Sequence, residues 1–156
     1  MFKTIVWATD GSASADRALP FAKELAEADG KLVVVHCKEM LVARGGAYPV
    51  LADEPDVQEK IEAQVAGLRT DGFDVSLEFA SGNATAAAHA IADVALGAGA
   101  DVIVVGTRGR SSISGLLLGS VTQRLLHVTS CPVLAVPPLK HAPAAETEPE
   151  QLVATK

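Results

Sequence analysis

Apolar residues fall along this chain in two kinds of pattern, and each predicts a different element. Four short runs do not alternate with polar residues: Ile5-Val6-Trp7-Ala8, Leu32-Val33-Val34-Val35, Val102-Ile103-Val104-Val105 and Val133-Leu134-Ala135-Val136. Such runs predict strands covered on both faces, as in a parallel sheet flanked by helices. The stretch Val75-Ser76-Leu77-Glu78-Phe79 alternates instead, which predicts a strand with one open face, at an edge.

Helical spacing fills the intervals. Asp56 is placed to cap a helix whose Val57, Ile61, Val65 and Leu68 form one stripe, with Gly72 stopping it. Asn83 is placed to cap a second helix, with Ala88, Ile91, Ala92 and Ala95 inward and Gly97 and Gly99 at its end. Another begins after Gly119-Ser120 and turns Val121, Leu125 and Val128 inward, before Pro132 opens the last strand. The first helix is expected from about residue 12 to 29, with Pro20 kinking it or delaying its start.

Strands alternating with helices imply right-handed crossovers and a three-layer α/β sandwich around a five-stranded parallel sheet. Residues 38–55, which contain Arg44-Gly45-Gly46 and Pro49, read as a long connection too irregular for an element. After Pro137-Pro138 the composition turns to Ala, Glu, Pro and Thr. The expectation is one domain over residues 1–138 and a disordered tail over 139–156.

Composition narrows the function classes. The 156 residues are 49% hydrophobic and only 4% aromatic, which suits an aliphatic α/β core. A formal net charge of −6 argues against a broad nucleic-acid surface. No apolar run is long enough to cross a bilayer, and the apolar start breaks into Asp10-Gly11-Ser12 too soon for a secretory signal. Cys37 and Cys131 have neither metal-ligand nor redox spacing and read as thiols in a reducing compartment, so a cytoplasmic location is expected.

The segment GTRGRSSISGLLLGSVTQRLL, residues 106–126, carries the chemistry. It follows an apolar strand and enters a helix, so its glycines lie at the carboxyl end of the sheet, where ligands bind in open α/β folds. Gly106 and Gly109 carry no Cβ, which lets backbone N–H groups approach an anion. Gly119 and Ser120 open a helix whose first N–H groups and dipole favour negative charge, and Ser120 and Thr122 add hydroxyls. The Walker A spacing and lysine are missing, the first strand is not followed by a dinucleotide fingerprint, and no Gly-x-Ser-x-Gly elbow or HExxH helix occurs.

The pattern Gly106-x2-Gly109-x9-Gly119-Ser120 resembles the ATP-binding motif of the universal stress protein family, nucleotide-binding subgroup. The resemblance extends to the opening strand with Thr9-Asp10-Gly11-Ser12, the second strand ending in His36, and the closing Cys131-Pro132-Val133-Leu134-Ala135-Val136, about residues 2–137 in all. It implies a Rossmann-like sheet in the strand order 3-2-1-4-5. It also implies an ATP site, usually with a divalent cation such as Mg2+. Backbone at Ala8, Thr9 and Cys37 would line the adenine side, Val105 would pack near the base or ribose, and Asp10 matches an acidic residue near the nucleotide. The turn 106–109 and residues Gly119, Ser120, Val121 and Thr122 would hold phosphates. Arg108 departs from the family, standing where relatives often have His, and Arg110 follows at an often basic position.

Bland readings stand beside these. Asp10 also suits a helix cap, Arg108 and Arg110 also suit a solvated loop face, and His36 reads as a satisfied core residue rather than a ligand. Ser111, Ser112 and Ser114 read as loop polarity rather than phosphorylation sites. The function expected is ATP binding with dimer-based signalling, the homodimer forming through the last strand. The alternatives are an AMP or cyclic AMP sensor, a slow ATPase or self-phosphorylating enzyme, and an interaction protein with a structural nucleotide.

Overall fold

The computed structural model describes residues 2–43, 46–49, 53–110 and 118–138. The elements in chain order are β1 (Phe2–Thr9), α1 (Ala13–Leu25), β2 (Ala26–Ala43), β3 (Gly46–Pro49), α2 (Glu54–Thr70), β4 (Asp74–Gly82), α3 (Ala84–Ala98), β5 (Val102–Gly106), α4 (Ser120–Val128) and β6 (Val133–Val136). Five parallel strands form the main sheet in the order β4-β2-β1-β5-β6, which is the expected 3-2-1-4-5 order. Helices cover both faces. No helix among the described residues is long and apolar enough to cross a membrane.

Alternation within the apolar runs divides the core in two. Ile5, Trp7, Leu32, Val34, Val102 and Val104 point to one face and pack with Ala18 and Ala22 of α1 and with Val57, Ile61, Val65 and Leu68 of α2. Their neighbours Val6, Ala8, Val33, Val35, Ile103 and Val105 point to the other, against Ala88, Ile91 and Ala95 of α3 and Leu125 of α4. Each fully buried aliphatic side chain contributes about 1.5–3 kcal/mol. A non-alternating run is therefore two alternating faces, both covered. The strand that does alternate, β4, lies at an edge as expected, and β6 occupies the other edge.

Local signals set most helix ends. Ser12 caps α1 by accepting from the Ala15 N–H at 3.2 Å, and Asn83 caps α3 by accepting from the Ala86 N–H at 3.0 Å. Gly99 ends α3 in the left-handed region at φ 61°, and Gly97 lies inside the helix rather than at its end. Helix α2 begins at Glu54, ahead of the expected cap Asp56. Asp53 holds the N-cap position and Pro55 sits in the first turn, where a missing N–H costs nothing.

Three further expectations are corrected. The first helix stops at Leu25 rather than near residue 29, because Ala26 turns extended and pairs with Phe2. The register then shifts before Thr4 pairs with Lys31, so sheet pairing overrides the helical composition of residues 26–29. Pro20 does not delay the start: it lies inside α1, leaving the Asp16 carbonyl without its helical donor. Nor is the 38–55 connection irregular throughout. Strand β2 runs on to Ala43 and pairs antiparallel with β3, Met40 opposite Pro49 and Ala43 opposite Gly46. A strand already held by β1 and β4 extends this pairing beyond the sheet. Arg44 and the tail from residue 139 lie outside the described residues.

Cys131 donates to the Ala100 carbonyl at 3.3 Å, and burial, with the Asp101 carboxylate second, pushes its thiol pKa up. It is held as a neutral thiol rather than a nucleophile.

Two glycines make the packing testable. A Cβ at Gly106 would lie 2.7 Å from the Ser14 carbonyl carbon, so β5 and α1 could not keep their separation. A Cβ at Gly67, inside α2, would meet nothing within 4 Å. Gly106→Ala is therefore expected to lower unfolding free energy by about 1–3 kcal/mol, and Gly67→Ala to raise it by roughly 0.5–1 kcal/mol. Urea midpoints at unchanged slope read both; changes of the same sign would refute this packing account.

Candidate functional site

Strand β1 leads into α1 on one face of the sheet, and β5 leads towards α4 on the other. The segments leaving these neighbouring strands diverge, and a cavity of about 250 Å3 opens between them at the carboxyl end of the sheet. All thirteen residues picked out from the sequence line it: Ala8, Thr9, Asp10, Cys37, Val105, Gly106, Arg108, Gly109, Arg110, Gly119, Ser120, Val121 and Thr122.

The lining divides by element. Strand ends supply Ala8, Val35 and Val105, and α3 supplies Ala84, Ala87 and Ile91, giving an apolar wall. The loops supply Asp10, Arg108, Gly109, Arg110, Gly119 and Ser120, giving a polar one. Such a division suits a ligand with a flat apolar part and a charged part.

Asp10 joins the two loops. Its Oδ1 accepts from the Ser12 N–H at 3.0 Å, and its Oδ2 accepts from the Arg110 N–H at 2.8 Å, across 100 residues of chain. Asp10 is therefore not the cap of α1, a role Ser12 takes. The turn after β5 is tied at further points: the Arg108 N–H donates to Ser14 Oγ at 3.3 Å and the Gly119 N–H to the Thr107 carbonyl at 2.7 Å. Thr122 Oγ1, buried, donates to the Gly106 carbonyl at 2.9 Å. Its hydroxyl proton is committed to the fold.

The glycines of the motif serve different needs. Gly106 makes room for α1 rather than for a ligand, as its contact with Ser14 requires. Gly109 makes room for Asp10, whose Oδ2 would lie 2.6 Å from an added Cβ; its φ is not positive. Gly119 takes the N-cap position of α4, and no side chain caps that helix.

Two polar residues of the cavity wall, His36 and Glu54, were not expected as site residues. His36, 1% exposed, has both ring nitrogens engaged: Nδ1 with the Thr9 carbonyl at 2.9 Å and Nε2 with Glu54 Oε1 at 2.6 Å. A carbonyl only accepts, so Nδ1 carries hydrogen, and Nε2 faces the Glu54 carboxyl. His36 is a satisfied core residue, as read, and it also fixes Glu54. Glu54 had no signal of its own, since its partners lie 18 and 56 residues away.

The arginines differ. The Arg110 side chain is 16% exposed and pairs with Asp53 and with Glu54, NH1 to Oε2 at 3.4 Å, so it is not a solvated loop face. Its charge is largely balanced. Arg108 Nε is buried without a hydrogen-bond partner among the described residues, an arrangement that costs free energy unless another group accepts from it. The serines Ser111, Ser112 and Ser114 lie outside the described residues. No group of three His, Cys, Asp or Glu side chains placed to hold a metal occurs among the described residues.

The model of the universal stress protein family matches residues 1–137. The Thermus aquaticus protein named universal stress protein in QAH/OAS sulfhydrylase 3'region is 39% identical over 140 residues, covering 87% of this chain and 99% of its own length. The structure of hypothetical protein MJ0577 superposes with a TM-score of 0.68 at 24% identity, over 90% of this chain and 99% of its own, a likeness of fold. A universal stress protein solved in complex with cAMP superposes with a TM-score of 0.59 at 27% identity, over 86% of this chain and 96% of its own. From the sheet order and from the match over nearly all of the described chain, this protein belongs to the universal stress protein family.

Proposed function

We propose that this chain binds an adenine nucleotide in the cavity at the carboxyl end of its sheet, with ATP as the ligand its residues suit best. The observation that carries the reading is the join between the two walls. An apolar surface from Ala8, Val35, Val105, Ala87 and Ile91 runs directly into a polar end. That end holds Arg108 Nε, without a hydrogen-bond partner among the described residues, together with Gly109 and the start of α4, which no N-cap side chain caps. The base and ribose occupy the first, beside backbone at Ala8, Thr9 and Cys37. The phosphates occupy the second, on N–H groups near Gly109 and at Gly119, Ser120 and Val121, with the helix dipole adding its share.

Mg2+ fits this site only as a companion of the phosphates. Among the described residues, the Asp10 carboxylate of the polar wall is engaged by backbone N–H groups rather than by a charged side chain, and Mg2+ commonly takes one or two carboxylates together with phosphate oxygens. The same inventory favours binding over fast turnover. Both oxygens of Asp10 accept backbone N–H groups, and Glu54 is held by His36 and Arg110, so neither is placed as a general base.

A second reading, a cyclic AMP or AMP sensor, has its own support. A relative of the same fold was solved with cAMP, and Arg110 already has two carboxylate partners, which lowers the positive field. Mass spectrometry of the small molecule released from the denatured protein distinguishes the readings. Absence of any adenine compound, with no thermal shift from millimolar ATP, cyclic AMP or AMP, would refute both.

Gly109→Val tests the polar end. The added side chain collides with the Asp10 carboxylate and crowds the N–H groups beside it. Losing one or two hydrogen bonds to charged phosphate, about 1.5–3 kcal/mol each, is expected to weaken ATP roughly tenfold to several-hundredfold. Adenosine is expected to weaken much less. Equal weakening would place the phosphates elsewhere.

Signalling through a homodimer completes the proposal, with β6 as the contact. This edge strand leaves Leu134 36% exposed, and an uncovered apolar edge is an association hazard that pairing removes. Sedimentation at micromolar concentration is expected to give twice the chain mass; a monomer would refute it.

A further inference from the structure

Arg110 stands where four segments meet. Its N–H is held by Asp10 at the end of β1, while its guanidinium reaches Asp53 and Glu54 at the start of α2. His36, at the β2 pairing position opposite Thr9 of β1, holds the other oxygen of Glu54. The two carboxylates are not equivalent. Glu54 is 9% exposed and fixed from both sides, and His36 is itself anchored to the Thr9 carbonyl. Asp53 is 59% exposed, makes no capping hydrogen bond to α2, and pairs with Arg110.

We infer that Asp53 is a built-in competitor for Arg110, displaced by a ligand phosphate, and that it sets how strongly the site prefers long phosphate chains. The inference rests on the nucleotide reading above and deepens it. Arg110 follows Gly109 and lines the same cavity as Gly119 and Ser120. Its guanidinium offers five donors in a planar fork, which matches phosphate oxygens in pairs. Because the backbone is pinned by Asp10, the side chain can exchange partners without moving the turn. Glu54 is the pivot that stays. Asp53 is the arm that leaves, since an exposed carboxylate regains water at little cost whereas a buried one does not. A di- or triphosphate brings more negative charge than the single carboxylate it replaces. Adenosine brings none and leaves the pair closed.

The consequence is selectivity by subtraction. Removing Asp53's charge frees part of the guanidinium in the unliganded protein, so a ligand reaching Arg110 no longer competes for it. A ligand that never reaches Arg110 is unaffected. Nearby negative charge in general would act differently, repelling every anion according to distance. Asp56, also in the first turn of α2 and exposed, serves as the control for that effect.

The test is calorimetric titration of the full chain with ATP and with adenosine, for the parent, Asp53→Asn, Asp56→Asn, Arg110→Gln and the double variant Asp53→Asn/Arg110→Gln. Asp53→Asn is expected to tighten ATP about 1.4- to fivefold, the range measured for an exposed ion pair, and to leave adenosine unchanged. Asp56→Asn is expected to change ATP affinity much less. In the Arg110→Gln background the Asp53→Asn gain is expected to vanish, the pattern of two groups acting through one another. If Arg110→Gln fails to fold, Arg110→Lys replaces it; lysine keeps the charge and loses the fork, so the gain shrinks. No gain for ATP, an equal gain for adenosine, an equal gain from Asp56→Asn, or a gain that survives without Arg110 would each overturn the exchange. A parent that binds ATP while Asp53→Asn does nothing overturns the exchange alone; a parent that binds no adenine compound overturns the nucleotide reading and the exchange with it.

Discussion

The structure depends on β1 being buried on both faces and paired on both edges. Ile5 and Trp7 fill one core and Val6 and Ala8 the other, with β2 and β5 on either side. A strand so enclosed can release the chain only at its ends. It does so towards α1 on one face, while its neighbour β5 releases the chain towards α4 on the opposite face. Parallel pairing keeps both exits at the same end of the sheet, so a crevice between them is a consequence of the winding. Trp7 reinforces the arrangement from below, its indole N–H donating to the Ala15 carbonyl at 3.2 Å in the first turns of α1.

A crevice is not yet a site, and Asp10 supplies the difference. Its carboxylate accepts from backbone on both rims, which sets the distance between the β1–α1 turn and the turn after β5. Hydrogen bonds to an ionised acceptor are stronger than neutral ones, so a single side chain can hold two loops that have no shared sheet pairing. The glycine pattern is legible in these terms as a record of two close approaches and one helix start. Helix α1 lies over Gly106, Asp10 lies against Gly109, and Gly119 opens α4 beside Thr107.

Charge around the cavity is balanced rather than uniformly positive. Arg110 meets Asp53 and Glu54, and Glu54 is held by His36, so the acidic start of α2 is drawn into the wall of a cavity formed mainly by β1, β5 and α4. The extension of β2 to Ala43 and its pairing with β3 precede that start in the chain. A chain of net charge −6 thus concentrates two arginines at the carboxyl end of its sheet, and restrains one of them.

What the sequence alone determined was whatever depends on neighbours in the chain. The unbroken runs at Ile5, Leu32, Val102 and Val133 named the strands of the sheet, the alternation at Val75 named an edge, and the stripe from Val57 to Leu68 named the buried face of α2. The spacing from Gly106 to Thr122 located one wall of the cavity, because a turn and a helix start are written in consecutive residues. Tertiary structure decided the rest. Residues 26–29 have helical composition yet join β2, because pairing with β1 outweighs local propensity. The same competition extends β2 past His36 and gives β3 its partner. Glu54 becomes a wall of the site, and His36 its anchor, only when β2 and α2 are brought together from 18 residues apart. Asp10, which matches an acidic site residue and by its neighbours also suits a helix cap, is a bridge because its second partner lies 100 residues away. Local patterns are set by backbone geometry within a few residues, whereas hydrogen-bond partners across the sheet exist only once burial has chosen which strand ends meet.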